Sequence, residues 1–324
     1  MLVFLTKKDK FFQKSFMIRR KIMNFEDVRE IIETHNKECW DEVFIASEIY
    51  FKDFNTVIIE SIPFNVSQSA KRLIGMRLNL PAPYIDRCPP ELQAQNLNYW
   101  MNNVNANEKL FCRFVGNDLR CLFTERYVPM DNLDIVNTLE VQSDKCCYFR
   151  FDRDVMQLSI LHEDKKFISD FGETFIPGVV ISNSEVGLKS LEMSVFYYMP
   201  EHDCGIIVTD VGHYHFRHTS KRGLNRMPEV YAELNHISRE DFNKFDLVND
   251  IMFTEPETAL REFGKKFVLS KSEISQIYSK WDKTGNVWSI MHAISKAAED
   301  FNKNVARLLT FQKVSGEILN TIKV

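Results

Sequence analysis

The strongest constraint on the fold is a change in the hydrophobic period close to residue 220. Residues 110–218 contain short runs of β-branched and aromatic residues separated by turn residues, which is typical of sequential strands. Within this region, residues 110–115 and 119–124 flank Gly116-Asn117-Asp118, a strong signal for a β-hairpin. From Lys221 onwards the apolar residues recur with a helical period. The sequence therefore predicts an α+β fold, an antiparallel β meander packed with helices and followed by an all-helical C-terminal region.

These patterns divide the 324 residues into three parts. The parts are a basic N-terminal tail (1–22), an α+β core domain (23–220) and a helical C-terminal region packed on the core (221–324). In the second half of the core, strands are predicted at 146–151, 155–162, 178–182, 191–198, 205–209 and 212–218. In the C-terminal region, helices are predicted at 221–235, 239–251, 256–267, 271–281, 285–301 and 304–321. Signals for helix starts are Ser67, Pro90, Asp131 and the pairs Ser238 with Asp241 and Ser270 with Glu273.

The charge is unevenly distributed along the chain. Residues 1–22 carry seven Lys and Arg against Asp9 alone, a net +6, whereas the whole chain carries −4, so the remainder carries −10. A body this acidic excludes a protein that surrounds nucleic acid with a uniformly positive surface. The tail is either a phosphate-binding arm or a disordered start.

The sequence predicts neither a membrane-spanning protein nor a protein held together by disulfides. No stretch approaches the roughly 18 apolar residues that a spanning helix needs, and Lys7-Lys8 follow the short apolar start in the wrong order for a signal peptide. The seven Cys are odd in number and include no Cys-x-x-Cys pair. They are expected to be reduced, buried thiols in a cytoplasmic protein.

Several motifs resemble a known family. They are 79–84 (NLPAPY), 88–93 (CPPELQ), 96–100 (NLNYW), 119–127 (LRCLFTERY) with Asp131-Asn132, 182–187 (SNSEVG), 217–219 (RHT), and Trp288 with 293–295 (AIS). In this order they resemble the phage/plasmid-like protein family catalogued as domain of unknown function 932. The chain departs from that pattern after Met199, where Asp203-Cys204-Gly205 replaces a Cys-Thr-Asn-Gly-like turn. The resemblance implies a mobile-element protein made in the cytoplasm of a bacterial host, and it implies no particular activity.

Arginine interleaved with aromatic residues indicates nucleic-acid contact, because a guanidinium binds phosphate and a ring stacks on a base. The candidate nucleic-acid-binding residues form one group on the hairpin and one at a strand-to-helix junction: Arg113, Arg120, Arg126 and Tyr127, then Arg217, Lys221, Arg222 and Arg226. The basic tail is a third group. The alternative is that these arginines pair with the surplus carboxylates of the acidic body.

Catalytic and metal signals are weak. Asn183, Ser184 and Glu185 are candidate ligand-binding residues, but a structural loop whose Ser and Glu side chains bond to backbone amides is the favoured interpretation. No nucleophile elbow or phosphate loop is present, so no catalytic residue and no cofactor are predicted. In the strand 212–218, His213 and His215 share their face with an arginine, which disfavours a metal ion. His35 and Cys39 form a lone pair without further ligands, so no metal is predicted there either.

These observations favour a non-enzymatic nucleic-acid-binding protein of a phage or plasmid. It would bind single-stranded DNA in preference to duplex and assist annealing, recombination or replication. The alternative is an interaction protein that binds and inhibits a host factor such as a defence enzyme, and an enzyme built from scattered residues is a third possibility. DNA or RNA as the ligand and a homo-oligomeric state are left open.

Overall fold

The computed structural model describes residues 22–105, 107–236, 242–301 and 304–320. The predicted basic tail, apart from Ile22, and the Ser238–Asp241 pair lie outside these ranges. The strands are β1 (Ile22–Asn24), β2 (Cys39–Ile45), β3 (Ile49–Phe51), β4 (Thr56–Ile59), β5 (Ile62–Val66), β6 (Lys109–Val115), β7 (Asp118–Thr124), β8 (Cys146–Phe151), β9 (Met156–Leu161), β10 (Phe167–Ile168), β11 (Thr174–Asn183), β12 (Leu191–Met199) and β13 (Cys204–Phe216). The helices are α1 (Phe25–Asn36), α2 (Gln68–Arg77), α3 (Ala82–Ile85), α4 (Pro90–Asn105), α5 (Asn132–Thr138), α6 (Arg222–Leu234), α7 (Asn243–Leu247), α8 (Pro256–Lys266), α9 (Lys271–Lys280), α10 (Val287–Ala298) and α11 (Val305–Asn320).

The strands form two sheets, so the α+β class is as predicted but the expectation of one sheet is corrected. Sheet I has the order β2-β6-β7-β5-β4-β3, and sheet II has the order β1-β8-β9-β11-β12-β13 with β10 beside β11. Sheet II contains the predicted antiparallel meander. Sheet I is mixed, because β5 and β7 are parallel, with Asn65 opposite Asp118. A parallel pair needs a long crossover, and α2 to α4 followed by β6 supply it.

The predicted hairpin is present as β6 and β7. Val115 pairs with Asp118, and Gly116 at the turn has φ +56°, a backbone conformation that glycine adopts without strain. Side chains alternate as expected, with Cys112 and Phe114 in the core of sheet I and Phe111 on the opposite face. That opposite face is covered by the loop that follows β11 of sheet II, which contributes Val186.

Sheet II and the C-terminal helices share one hydrophobic core. Helix α11 approaches β13 so closely that a Cβ on Gly316 would lie 1.9 Å from the carbonyl oxygen of Ile207. Sheet I has its own core, closed by apolar residues of α2 and α4 such as Ile74 and Leu97. The C-terminal helices therefore pack on sheet II rather than on sheet I.

Local signals position the helices well. Ser67 accepts a hydrogen bond from the backbone N–H of Ala70, and Ser270 with Glu273 forms the predicted capping box. Pro90 begins α4 as predicted. The two strands predicted at 205–209 and 212–218 form a single strand, β13, which is bulged opposite the Ser194/Val195 step of β12. Among the described helices, none combines the length and apolar character that a membrane crossing requires.

Candidate functional site

The candidate site lies where the loop after β11 packs on the hairpin β6–β7. Val186 of that loop contacts a small apolar cluster with Phe111 and Cys121 of the hairpin. Gly187 has φ +70°, and a Cβ there would lie 2.5 Å from the ring of Phe123. Glycine is therefore required for the loop to approach the hairpin this closely. The polar side chains around this contact connect sheet I with sheet II.

We refer to this contact between the loop after β11 and the hairpin β6–β7 as the junction. Arg113 is its central cation. Its side chain forms a bidentate ion pair with Asp41, with Nε–Oδ1 and Nη2–Oδ2 distances of 2.7 Å. Its Nη2 lies 2.6 Å from Oδ1 of Asp131, and its Nη1 donates to the carbonyl oxygen of Glu185 at 3.4 Å. Because Arg113 is only 4 % exposed and fully paired, it is not available to nucleic acid. The expectation of a phosphate contact through Arg113 is therefore corrected.

Glu185 is a buried carboxylate, 5 % exposed, with partners on both sides. Its Oε1 accepts a hydrogen bond from the backbone N–H of Asn132 at 2.7 Å, and its Oε2 lies 3.7 Å from Nε2 of His35. Burial raises the pKa of Glu185, but His35, Arg113 and the N–H of Asn132 outweigh burial and hold the pKa below its ordinary value. Glu185 is therefore ionised at neutral pH.

Asn183 and Ser184 serve the loop. The Asn183 amide donates to the carbonyl oxygen of Met130 and to Oδ1 of Asn132, both at 2.9 Å, and Oγ of Ser184 accepts from the N–H of Leu188 at 3.1 Å. These hydrogen bonds to other parts of the protein agree with the structural-loop interpretation of Asn183 and Ser184 rather than with ligand binding. Glu185 differs from Asn183 and Ser184 because its Oε2 faces another titratable side chain, that of His35.

His35 and Cys39 complete this side of the junction. His35 lies in the last turn of α1, and Cys39 is the first residue of β2, so the pair spans the end of a helix rather than one helical turn. Sγ of Cys39 lies 3.6 Å from Nε2 of His35. Burial, and then the charge of Glu185, raise the pKa of Cys39 to about 12. A thiol with this pKa is protonated at neutral pH and is a poor nucleophile.

Tyr127 is held inside the junction. Its hydroxyl donates to the carbonyl oxygen of Glu185 at 3.0 Å and lies 3.0 Å from Nδ1 of His218. Its ring stacks on Phe123 at 4.3 Å and on His218 at 5.4 Å between centroids. Because these two rings stack against Tyr127, the expectation that it stacks on a base is corrected.

Arg120 is also buried, at 6 % exposure. It forms an ion pair with Asp154 and donates to the carbonyl oxygen of Arg153 at 2.7 Å. The turn that contains Asp154 belongs to sheet II, so this ion pair is a second link between the sheets. The expected nucleic-acid contact through Arg120 is corrected for the same reason as that of Arg113.

Four of the remaining predicted cations are exposed and lie on the loop after β7 and on the segment from the end of β13 to the first residue of α6. The N–H of Val128 donates to the carbonyl oxygen of His218 at 3.0 Å, so the loop after β7 contacts the segment after β13. This contact brings Arg126 next to the segment that carries Arg217 and leads into α6. We refer to the exposed set as the cationic ridge, which consists of Arg126, Arg217, Lys221 and Arg222.

The cationic ridge has no internal counter-ions among the described residues, since none of its four side chains forms an ion pair there. The adjacent acid Glu125 lies 4.0 Å from Lys109 instead. Arg226, the fifth predicted cation of this region, lies one turn into α6 and is 3.9 Å from Glu229. An anion approaching the ridge therefore does not have to displace a carboxylate, except at Arg226.

Sequence reasoning missed most of the buried cluster. The sequence gives no signal for Asp41, predicts Asp131 as a helix cap, and offers no further ligand beside the pair His35 and Cys39. Asp131 does occupy the N-cap position of α5, but its side chain contacts Arg113 rather than the helix. The signal available in the sequence is the surplus of carboxylates in the acidic body, which favours internal ion pairs for its arginines.

Comparison with known proteins found no matching family model, no matching curated protein and no matching solved structure. The resemblance to the phage/plasmid-like family therefore stays a prediction that rests on the motifs.

Proposed function

We propose that this protein binds the sugar–phosphate backbone of nucleic acid through the cationic ridge. The observation that supports this most strongly is the contact between Val128 and His218, which joins two segments whose exposed cations form no ion pair with any described residue. Residues 23–324 carry a net charge of −10, so a group of four exposed cations is a local exception to the overall charge of the body. Lysine and arginine bind phosphate by charge-assisted hydrogen bonds.

We expect single strands to bind better than duplex DNA. A flexible strand follows two separate loops, whereas a stiff duplex contacts them together only if their spacing fits its backbone. Because Tyr127 stacks on two rings of the protein itself, binding is governed by phosphate contacts and carries little sequence preference. A role in annealing, recombination or replication of a mobile element in the bacterial cytoplasm is the biological setting we propose.

The test is fluorescence anisotropy of labelled single-stranded and duplex oligonucleotides at two salt concentrations. The variant Arg126→Ala/Arg222→Ala removes one cation from each of the two segments, the loop after β7 and the start of α6, and should weaken binding about tenfold or more at low salt. The control variant Lys52→Ala/Arg87→Ala removes two exposed cations of the sheet I region and should bind like the wild type. Equal affinities for both variants would remove the cationic ridge from the proposal.

The second candidate function is inhibition of a host protein. Strand β2 is an edge of sheet I, and its side chains Val43 and Ile45 are 50 % and 38 % exposed. An exposed edge strand with apolar side chains is suited to pairing with a strand of another protein. A stoichiometric complex with one purified host factor that is lost in Val43→Lys, together with absence of oligonucleotide binding, would favour this alternative.

A further inference from the structure

Three residues from distant parts of the chain direct metal-binding atoms at one another inside the junction. His35 lies in the last turn of α1, Cys39 begins β2 in sheet I, and Glu185 lies in the loop after β11 of sheet II. Their donor atoms, the imidazole nitrogen, the thiol sulfur and a carboxylate oxygen, all lie within 4.8 Å of one another. His35 is 1 % exposed and Glu185 is 5 % exposed.

The spacing of these atoms is compatible with a shared ion as well as with the direct contacts among the side chains, in which the Cys39 thiol also donates to the carbonyl oxygen of His35 at 3.4 Å. Nε2 of His35 lies 3.6 Å from Sγ of Cys39 and 3.7 Å from Oε2 of Glu185. A nitrogen–oxygen hydrogen bond is shorter, at roughly 2.7–3.2 Å. With ordinary Zn²⁺ bond lengths and tetrahedral angles, two ligand atoms are about 3.3 Å apart for N and O and about 3.6 Å apart for N and S. Small side-chain adjustments would therefore bring all three atoms to one ion.

The charge of the cluster favours a cation independently of that spacing. The carboxylates of Asp41, Asp131 and Glu185 lie around the guanidinium of Arg113, so in this cluster three acidic side chains face one arginine. Buried charge is stable only when it is paired, and a divalent ion would balance this surplus.

We propose that His35, Cys39 and Glu185 bind one divalent transition-metal ion, for which Zn²⁺ is the best match to this set of nitrogen, sulfur and oxygen donors. Nε2 of the neutral imidazole, the thiolate of Cys39 and Oε2 of Glu185 supply three ligands, and a fourth position is left to solvent. Binding releases the thiol proton of Cys39 to solvent, so the bound sulfur is a thiolate.

The proposed ion would act as a clamp between the sheets. Cys39 belongs to sheet I and Glu185 to the loop that follows β11 of sheet II, so one ion would connect them directly. The same loop lies against Tyr127, whose neighbour Arg126 belongs to the cationic ridge. Metal binding and nucleic-acid binding can nevertheless be measured separately, because the ligands and the ridge share no residue.

The experiment uses the full chain, stripped with a chelator and titrated with Zn²⁺ and with Co²⁺. We expect one ion per chain by elemental analysis, a cobalt–thiolate charge-transfer band, and a rise in the melting temperature with Zn²⁺. Cys39→Ser should abolish the band and weaken Zn²⁺ binding at least about 100-fold, since loss of even an outer partner weakens metal binding 10- to 100-fold. Cys88→Ser, which removes another partly exposed thiol, should behave like the wild type.

Two results would overturn the proposal. One is a metal content below one-tenth of an ion per chain for the wild type after titration with Zn²⁺. The other is retention of the charge-transfer band in Cys39→Ser. Serine is nearly isosteric with cysteine, and a far-UV circular dichroism spectrum equal to that of the wild type establishes that the variant is folded. If the spectrum differs, the variant Glu185→Gln is used instead of Cys39→Ser. Glu185→Gln should weaken Zn²⁺ binding while it retains the cobalt–thiolate band.

Discussion

Arg113 on β6 and Asp131 at the start of α5 form an ion pair across the junction of the two sheets, with 2.6 Å between Nη2 and Oδ1. Helix α5 packs in the core of sheet II, whereas β6 belongs to sheet I. The same guanidinium also binds Asp41 on β2. One buried cation therefore holds carboxylates from both halves of the molecule.

Replacing Arg113 should destabilise the protein strongly. Arg113→Met leaves Asp41, Asp131 and Glu185 without their shared cation, and removing one partner of a buried ion pair costs about 3 kcal/mol. Urea unfolding at pH 7 measures the change. The matched control is Arg261→Met, because the Arg261 side chain is 65 % exposed and its ion pair among the described residues is with Glu257 in the same helix. The control should change the free energy of unfolding by less than about 1 kcal/mol, and an equal loss in both variants would contradict the structural role of Arg113.

The cationic ridge predicts a specific salt dependence. Four phosphate contacts to a single strand give a slope of about −2.8 for the logarithm of the binding constant against the logarithm of salt concentration. Arg126→Ala/Arg222→Ala should reduce the magnitude of this slope by about 1.4. Anisotropy titrations at four salt concentrations measure it, with Lys52→Ala/Arg87→Ala as the control. A weaker affinity with an unchanged slope would indicate lost folding or lost packing rather than lost phosphate contacts.

Stability should fall as the pH is lowered from 6.5 to about 4. Burial, and then the charge of Arg113, lower the pKa of His218 to about 4, below the ordinary value of 6.5. Between these two pH values the unfolded chain binds a proton that the folded chain does not, so the free energy of unfolding decreases by up to about 1.4 kcal/mol per pH unit. Above pH 6.5 this contribution is fully present.

His218→Gln tests the origin of this pH dependence. Glutamine retains a hydrogen-bonding group near Tyr127 but does not titrate. The free energy of unfolding, measured in urea at pH 7, 6 and 5, should therefore change less steeply in the variant. His162 and His292, whose pKa values burial also lowers to about 4, would maintain part of the slope. An identical slope in the wild type and the variant would argue against a buried neutral His218.

A side chain at Gly316 should disrupt the packing of α11 on β13. The Cβ of alanine would lie 1.9 Å from the carbonyl oxygen of Ile207, and a backbone atom cannot move aside without displacing its strand. Overpacking of this kind costs about 1–3 kcal/mol, and we expect the upper end for Gly316→Ala. The melting temperature and urea midpoint measure the loss.

Gly264→Ala is the control for this prediction. Its Cβ would meet the terminal methyl of Ile274 at 2.7 Å, and this flexible side chain can rotate away. Alanine also favours the helix over glycine by roughly 1 kcal/mol, so the control should be nearly neutral. A Gly316→Ala variant as stable as Gly264→Ala would mean that α11 is not packed on the strand as closely as described.

The amino-acid sequence by itself determined the local structure. The hairpin follows from Gly116-Asn117 between two alternating runs, α2 and α9 start at serine caps, and the meander of sheet II follows from short strands joined by turns. These features depend on backbone conformations and hydrogen bonds within a few residues, so the pattern of neighbours is sufficient to predict them.

The tertiary structure alone decided which charges are buried. Strand alternation placed Phe111 and Arg113 on one face, but nothing in the hairpin indicated that a loop of sheet II covers that face. Arg113 meets Asp41 72 residues away in the chain, and Glu185 meets His35 only because the sheets pack together. Whether an arginine binds a phosphate or an internal carboxylate depends on these long-range contacts, because burial and pairing are properties of the packed molecule.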